Sequence, residues 1–333
     1  MGHPLRWFLP TIVYEVTTRT MQERFLLRPS PEAREIILGV LGRGLVLYPH
    51  VNLHAFIYLS NHVHMLLSSR DGEDFSGFIG YVNGRVAFEM GRMHGWRGHF
   101  WGRRGRPIAV IDDDAQIGRL RYLIAQGCKE GLVITPRDWP GASSLPGLLG
   151  DMEMQGWWFD RDQERRARAR NDRPGRYDHA IRYPVRLTPL PALAHLPPDE
   201  LRVRHERLVA EVEEETRQRY EDEGGRPLGV PAVLAQDPLD RPAASKRSPA
   251  PMCHASTAPI RSAFRAAYRT FVDAYRRAAE TLRTLKPGAP LPAFPAGSFP
   301  PRSRSVAYAP PAWPPWIGRD ITLGRRPSAL APS

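Results

Sequence analysis

The spacing of apolar and polar residues predicts seven alternating elements across the first 128 residues. Thr11–Thr20 is rich in β-branched residues and reads as a strand. Pro29-Ser30-Pro31-Glu32 then offers a cap residue and an acidic first turn for a helix running to about Tyr48. In that helix Ile36, Ile37, Val40, Leu41 and Leu45 recur at helical spacing. Leu53–Leu59 and His62–Ser68 are two apolar runs separated by Ser60-Asn61, the pattern of a hairpin. A helix follows from about Glu73 to Met93, with Phe75, Phe78, Ile79, Val82, Val86 and Met90 on its apolar face. Pro107–Ile111 is a short strand. Asp112-Asp113-Asp114 opens a helix to about Cys128, because acidic side chains favour the positive end of the helix dipole. The order β-α-β-β-α-β-α is an α+β plan: a ferredoxin-like split βαβ antiparallel sheet with an added helix.

Beyond Pro136 the periodicity weakens. Residues 137–198 mix Trp, Pro and Arg. Helices are predicted at about Asp199–Glu223, carrying Leu201, Leu208, Val209 and Val212, and at about Ile260–Leu285. The latter pairs an apolar stripe (Phe264, Tyr268, Phe271, Val272, Tyr275, Leu282) with Arg261, Arg265, Arg269, Arg276 and Arg277. The expected organisation is a first domain at 1–148, a mostly helical or irregular C-terminal extension at 149–290, and a Pro-rich disordered tail at 291–333. For the helical extension, accessory DNA binding or dimerisation competes with simple packing on the first domain.

Composition narrows the class. The chain has 333 residues and 42% are hydrophobic, enough to build a core, so wholesale disorder is excluded. No apolar run approaches the ~18 residues of a membrane span, and the N-terminus lacks a signal-peptide pattern. Two cysteines, Cys128 and Cys253, cannot form a disulfide framework, so a reducing, cytoplasmic setting is expected. The net charge is +12, from 47 Lys+Arg against 35 Asp+Glu, and the only lysines are Lys129, Lys246 and Lys286. Arginine suits phosphate recognition, although a GC-rich genome produces the same bias.

Two local features bear chemistry. His62-Val63-His64 places two imidazoles on one face of a strand, where both reach one metal ion. Alone, such a pair also arises by chance among 11 histidines. Tyr122 and Gln126 are four residues apart on a helix and so share a face. A tyrosine can act as a covalent nucleophile, and an amide oxygen suits a hard cation.

In combination and order, these motifs resemble the HUH (His-hydrophobic-His) endonuclease superfamily, and within it the REP-associated tyrosine transposases. The matching segments are Ser60-Asn-His-Val-His-Met-Leu-Leu67, Phe100-Trp-Gly-Arg-Arg104 and Tyr122-Leu-Ile-Ala-Gln-Gly-Cys-Lys-Glu-Gly-Leu-Val133. Asp138-Trp-Pro140 and Ser143-Ser144 follow. The resemblance spans roughly residues 8–145. Ser60 departs from the family's Pro, and Gln126-Gly127 departs from its Asn-Pro; Gly127 is expected to act as a helix C-cap.

The resemblance implies a metal-dependent tyrosine transposase, a single-strand DNA nickase and ligase. His62, His64 and Gln126 would hold Mg²⁺ or Mn²⁺. Tyr122 would be the nucleophile, leaving a 5′-phosphotyrosyl link and a free 3′-OH. DNA contacts are expected from Trp101, Arg103, Arg104, Arg106, Arg119 and Arg121, with single-stranded or hairpin DNA as partner. In a homodimer with exchanged helices, Tyr122 would come from the second copy. Two other readings stay open: a domesticated, non-cleaving DNA or RNA binder, and a metal-dependent hydrolase that uses the histidine pair with no covalent step. His54, His94 and His99 are weaker candidates for a metal site.

Overall fold

Ser30 caps the first long helix by accepting from the Ala33 amide, and Asp71 and Asp112 cap the next two in the same way. The caps at Ser30 and Asp112 fix helix starts that the Ser/Pro and acidic signals predict; the cap at Asp71 was not read in the sequence. The computed structural model describes residues 5–244, 251–286, 289–299 and 307–308. It divides into two compact units, Pro10–Ser262 and the pair Met1–Leu9 with Ala263–Ser333.

In the larger unit, β1 (Val13–Arg19), α1 (Pro31–Leu47), β2 (Val51–Tyr58), β3 (His62–Ser69), α2 (Gly72–His94) and β4 (Arg106–Val110) follow in order. The sheet runs β2-β3-β1-β4 and every one of these pairings is antiparallel. This is the ferredoxin-like arrangement. A fifth, two-residue strand, β7 (Cys253–His254), adds in parallel beside β4. The intervening elements are α3 (Asp113–Ile124), α4 (Gln126–Lys129), α5 (Leu145–Leu149), β5 (Gln155–Phe159), α6 (Arg161–Ala169), β6 (Ala180–Pro184), α7 (Pro198–Glu223) and α8 (Val230–Leu234).

The two faces of the sheet differ. Tyr14 packs against Phe75 of α2, on the side that α1 and α2 cover. The opposite face presents Val13, Leu66, Val110, Ala55 and Ile57 to Leu120, Leu123 and Ile124 of α3. Leu208, Val209 and Val212 of α7 join that same core. The unit therefore continues to Ser262, past the boundary expected at 148, because α7 buries its apolar stripe on the α3 layer.

Three local expectations are corrected. Residues 137–198 hold an antiparallel hairpin, β5 with β6, where little periodicity was expected. It packs backbone to backbone on α1: a Cβ on Gly156 would stand 2.1 Å from the Glu35 carbonyl oxygen. The expected helix to Cys128 breaks at Ala125 into α3 and α4. Gly127 is not a left-handed cap; it leaves room for Val133 and the Trp139 ring, and the left-handed glycine is Gly131 (φ 69°).

The smaller unit is organised by most of α9 (Ala258–Arg283). Phe264 and Phe271 are buried, Trp7 stacks on Phe271 at 5.1 Å, and Tyr268 donates to the Leu5 carbonyl. β8 (Ala293–Phe294) pairs with β9 (Ala307–Tyr308) in parallel. Most of the tail expected to be disordered at 291–333 lies outside the described residues. No helix among the described residues is long and apolar enough to cross a membrane.

His54 is a structural histidine. Its Nδ1 donates to the Thr188 and Pro189 carbonyls, and its Nε2 accepts from Ser68 Oγ. Burial holds its pKa down at about 4. The unfolded chain therefore binds a proton here that the folded chain refuses. The contribution to stability is full above about pH 6.5 and is lost as pH falls toward 4. At pH 5 the loss is about 2 kcal/mol. Urea titrations at pH 7 and pH 5 should show this gap narrowing by that amount in His54→Asn. An unchanged gap contradicts a buried neutral imidazole.

Candidate active site

The face of the sheet toward α3 is apolar except at one end. Residues i and i+2 of a strand share a face, so Glu15 and Thr17 of β1 lie with His62 and His64 of β3. His62 and His64 are 4% and 6% exposed, with ring centroids 5.1 Å apart. Tyr122 reaches the pair from α3: its ring meets that of His64 edge-on at 5.6 Å. The predicted nucleophile and predicted metal ligands thus meet within one chain.

Hydrogen bonding fixes the tautomer of both imidazoles. His62 Nδ1 lies 2.6 Å from Asn61 Oδ1, and His64 Nδ1 lies 2.8 Å from Glu15 Oε1. Both contacted atoms are acceptor oxygens, so each ring places its proton on Nδ1, which leaves Nε2 as the nitrogen with the lone pair. Burial, more than any neighbouring charge, depresses the pKa of His62 and of His64, which keeps both rings neutral. Glu15 behaves in the opposite sense. Burial alone would raise its pKa, but hydrogen bonds from His254 and His64, with the Arg119 charge, hold it well below the usual carboxylate range.

Gln126 begins α4 and is fully buried. Its amide donates to the Tyr122 carbonyl at 3.2 Å. Its buried Oε1 makes no well-aligned hydrogen bond, and the side chain lies against His62. Two imidazole nitrogens and the buried amide oxygen of Gln126 beside His62 are donors whose chemistry fits a divalent cation, with the acceptors on Nδ1 as the outer shell such histidines use. Among the described residues no three His, Cys, Asp or Glu side chains come together as a metal site.

Tyr122 is bracketed by cations. The Arg119 guanidinium lies 3.7 Å from its ring centroid and the Lys129 ammonium 4.1 Å. Beyond the ring is a cavity of about 680 Å³, which Arg219, His254 and Arg261 also line. Val212, Ala115 and Ala125 give it an apolar floor. Lys129, Arg219 and Arg261 make no ion pair among the described residues; Arg219 donates to the Cys128 carbonyl and Arg261 to that of Ala255.

The remaining predicted DNA contacts are spread out. Arg103, Arg104 and Arg106 are exposed on the approach to β4. Arg106 stands opposite Thr17 in the register, at the polar end of the face. Trp101 is partly buried and donates to the Asn83 carbonyl of α2. Arg119 is ion-paired with Glu15, and Arg121 faces Glu211 and Glu215 of α7. His94 and His99 lie on or just after α2, and neither joins the His62–His64 cluster. Glu15 and His254 were not foreseen in the sequence. The available signal for Glu15 was a carboxylate in an otherwise uncharged stretch of strand; His254 carries no local signal.

Comparison with known proteins gives structural likenesses only. A solved REP-associated tyrosine transposase bound to a REP hairpin is 17% identical, with 45% of this chain and 86% of that chain covered and a TM-score of 0.39. A protein assigned as a transposase of Deinococcus radiodurans R1 is 19% identical, over 36% of this chain and 93% of that one, with a TM-score of 0.26. No family model and no curated protein matches the chain.

Proposed function

We propose that this chain is a metal-dependent tyrosine transposase of the REP-associated type, which cleaves and rejoins single-stranded DNA through Tyr122. The observation that carries this reading is the meeting of Tyr122 with His64 across the α3–sheet interface at a ring separation of 5.6 Å, with His62 beside His64 at 5.1 Å.

In this mechanism Tyr122 gives up its hydroxyl proton to solvent as its oxygen attacks the scissile phosphorus. The P–O3′ bond breaks and the phosphate's 5′ side stays on the tyrosine. The leaving 3′ oxygen takes up a proton and departs as a hydroxyl. Attack by a 3′-OH reverses the step and releases Tyr122, so ligation needs no nucleotide cofactor. Mg²⁺ or Mn²⁺ held by His62, His64 and Gln126 would polarise the scissile phosphate and stabilise its developing charge. Arg119 and Lys129, packed on the Tyr122 ring, favour the approach of the phosphate. The cavity beyond Tyr122 supplies cations over an apolar floor, the chemistry of a nucleotide subsite.

The wild type should nick a hairpin-bearing single strand when Mg²⁺ or Mn²⁺ is supplied, and EDTA should stop it. Binding without any nicking under these conditions would favour a non-cleaving DNA binder. The cavity has its own test. Single-strand affinity measured against salt should show a slope shallower by about 0.7 for each of Lys129→Gln, Arg219→Gln and Arg261→Gln. Unchanged slopes would place the strand elsewhere.

A further inference from the structure

We infer that His254 and Glu15 are positioning residues of the cleavage site, so that the segment returning from the C-terminal extension is part of the active site. This inference rests on the proposed function and brings in His254, which lies outside the resemblance at 8–145.

Glu15 is 2% exposed and its two oxygens are shared out. Oε1 accepts from His64 Nδ1 at 2.8 Å and from Arg119 Nη2 at 2.6 Å. Oε2 lies 2.7 Å from His254 Nε2. A buried carboxylate is stable only while its lone pairs are met. His254 Nε2 stands at ion-pair distance from Oε2, while the two bonds that Oε1 accepts hold it toward His64 and Arg119. Thr17 Oγ1 also stands 3.0 Å from His64 Nδ1 and could donate to it in the opposite tautomer. The carboxylate decides between the two: it can only accept, so Nδ1 keeps the proton and Nε2 keeps its lone pair.

The returning segment is itself pinned to the catalytic helix. His254 pairs with Val110 in β7, and the Ile111 amide donates to the His254 carbonyl at 2.9 Å. The Ser256 amide donates to Asp112 Oδ2 at 2.8 Å, while Asp112 Oδ1 caps α3 by accepting from Ala115. One contact chain therefore runs His254–Glu15–His64 toward the metal ligands. A second runs His254–Glu15–Arg119 to the ring of Tyr122.

The test uses the full chain with ring-labelled histidine. Long-range proton–nitrogen NMR reads the His64 tautomer without metal, and calorimetry reads the affinity for Mn²⁺. The wild type should hold His64 as the Nδ1–H form. His254→Ala should mix the tautomers and weaken Mn²⁺ binding about 10-fold. His254→Gln, which restores a donor at similar reach, should recover most of both. Should His254→Ala fail to fold, His254→Leu fills the space without a donor and is read the same way. A purely structural His254 would lower the melting temperature and leave tautomer and affinity unmoved; that result overturns the inference, as does a wild-type His64 protonated on Nε2. A wild type with the expected tautomer that binds no Mn²⁺ overturns the metal site and leaves the relay standing.

Discussion

Tyr122→Phe should abolish cleavage of single-stranded DNA, by at least about 1,000-fold, with DNA affinity changed less than twofold. The phenol oxygen is the only atom removed. The ring keeps its edge contact with His64 and its place beneath Arg119 and Lys129, so the cavity beyond it keeps its shape. Loss of activity with binding retained therefore isolates the nucleophile. Gel-resolved cleavage and fluorescence anisotropy on the same oligonucleotide measure the two quantities. Cleavage that survives the change would transfer the chemistry to a water molecule and favour a hydrolase built on the histidine pair.

The second large effect concerns the ligands. His62→Ala combined with His64→Ala should weaken Mn²⁺ binding by more than about 100-fold, because even outer-shell changes at such sites cost about 10–100-fold. Cleavage should fall with it. Gln126 separates ligation from packing. Its buried Oε1 makes no well-aligned hydrogen bond, so Gln126→Glu keeps an oxygen donor and should retain Mn²⁺, whereas Gln126→Leu should lose it. Calorimetric titration of the three variants settles the order. Equal affinities for Gln126→Leu and the wild type would remove Gln126 from the ligand set.

The sequence was most informative where chemistry and structure follow local spacing. Val63 between two histidines on a strand is enough to put both imidazoles on one face, and the spacing of Tyr122 and Gln126 puts them side by side. The ferredoxin-like order was legible for the same reason: each strand and helix up to Val110 carries its own period, and Ser30 and Asp112 mark helix starts. What was hidden depends on distant pairings. Glu15 becomes part of the site only because β3 and β4 flank β1, and the alternation Val13-Glu15-Thr17 against Tyr14-Val16 was its single trace. His254 arrives through a two-residue strand more than 140 residues after β4, which no periodicity can announce. The β5–β6 hairpin is split by α6 and a loop, so neither strand has a neighbour in sequence to reveal it. The helix break at Ala125 follows from packing: Gly127 admits Trp139 and Val133, a contact invisible in a window around Tyr122.

The central claim is a covalent bond between Tyr122 and DNA. The direct measurement is mass spectrometry of a trypsin digest after reaction with a hairpin-bearing single strand, Mn²⁺ present. Cleavage after Arg121 and Lys129 isolates the peptide Tyr122–Lys129. The account predicts that this peptide carries the DNA through a 5′-phosphate on Tyr122 and that the other product ends in a 3′-OH. Cut DNA with that peptide unmodified, or an adduct on another residue, would contradict it.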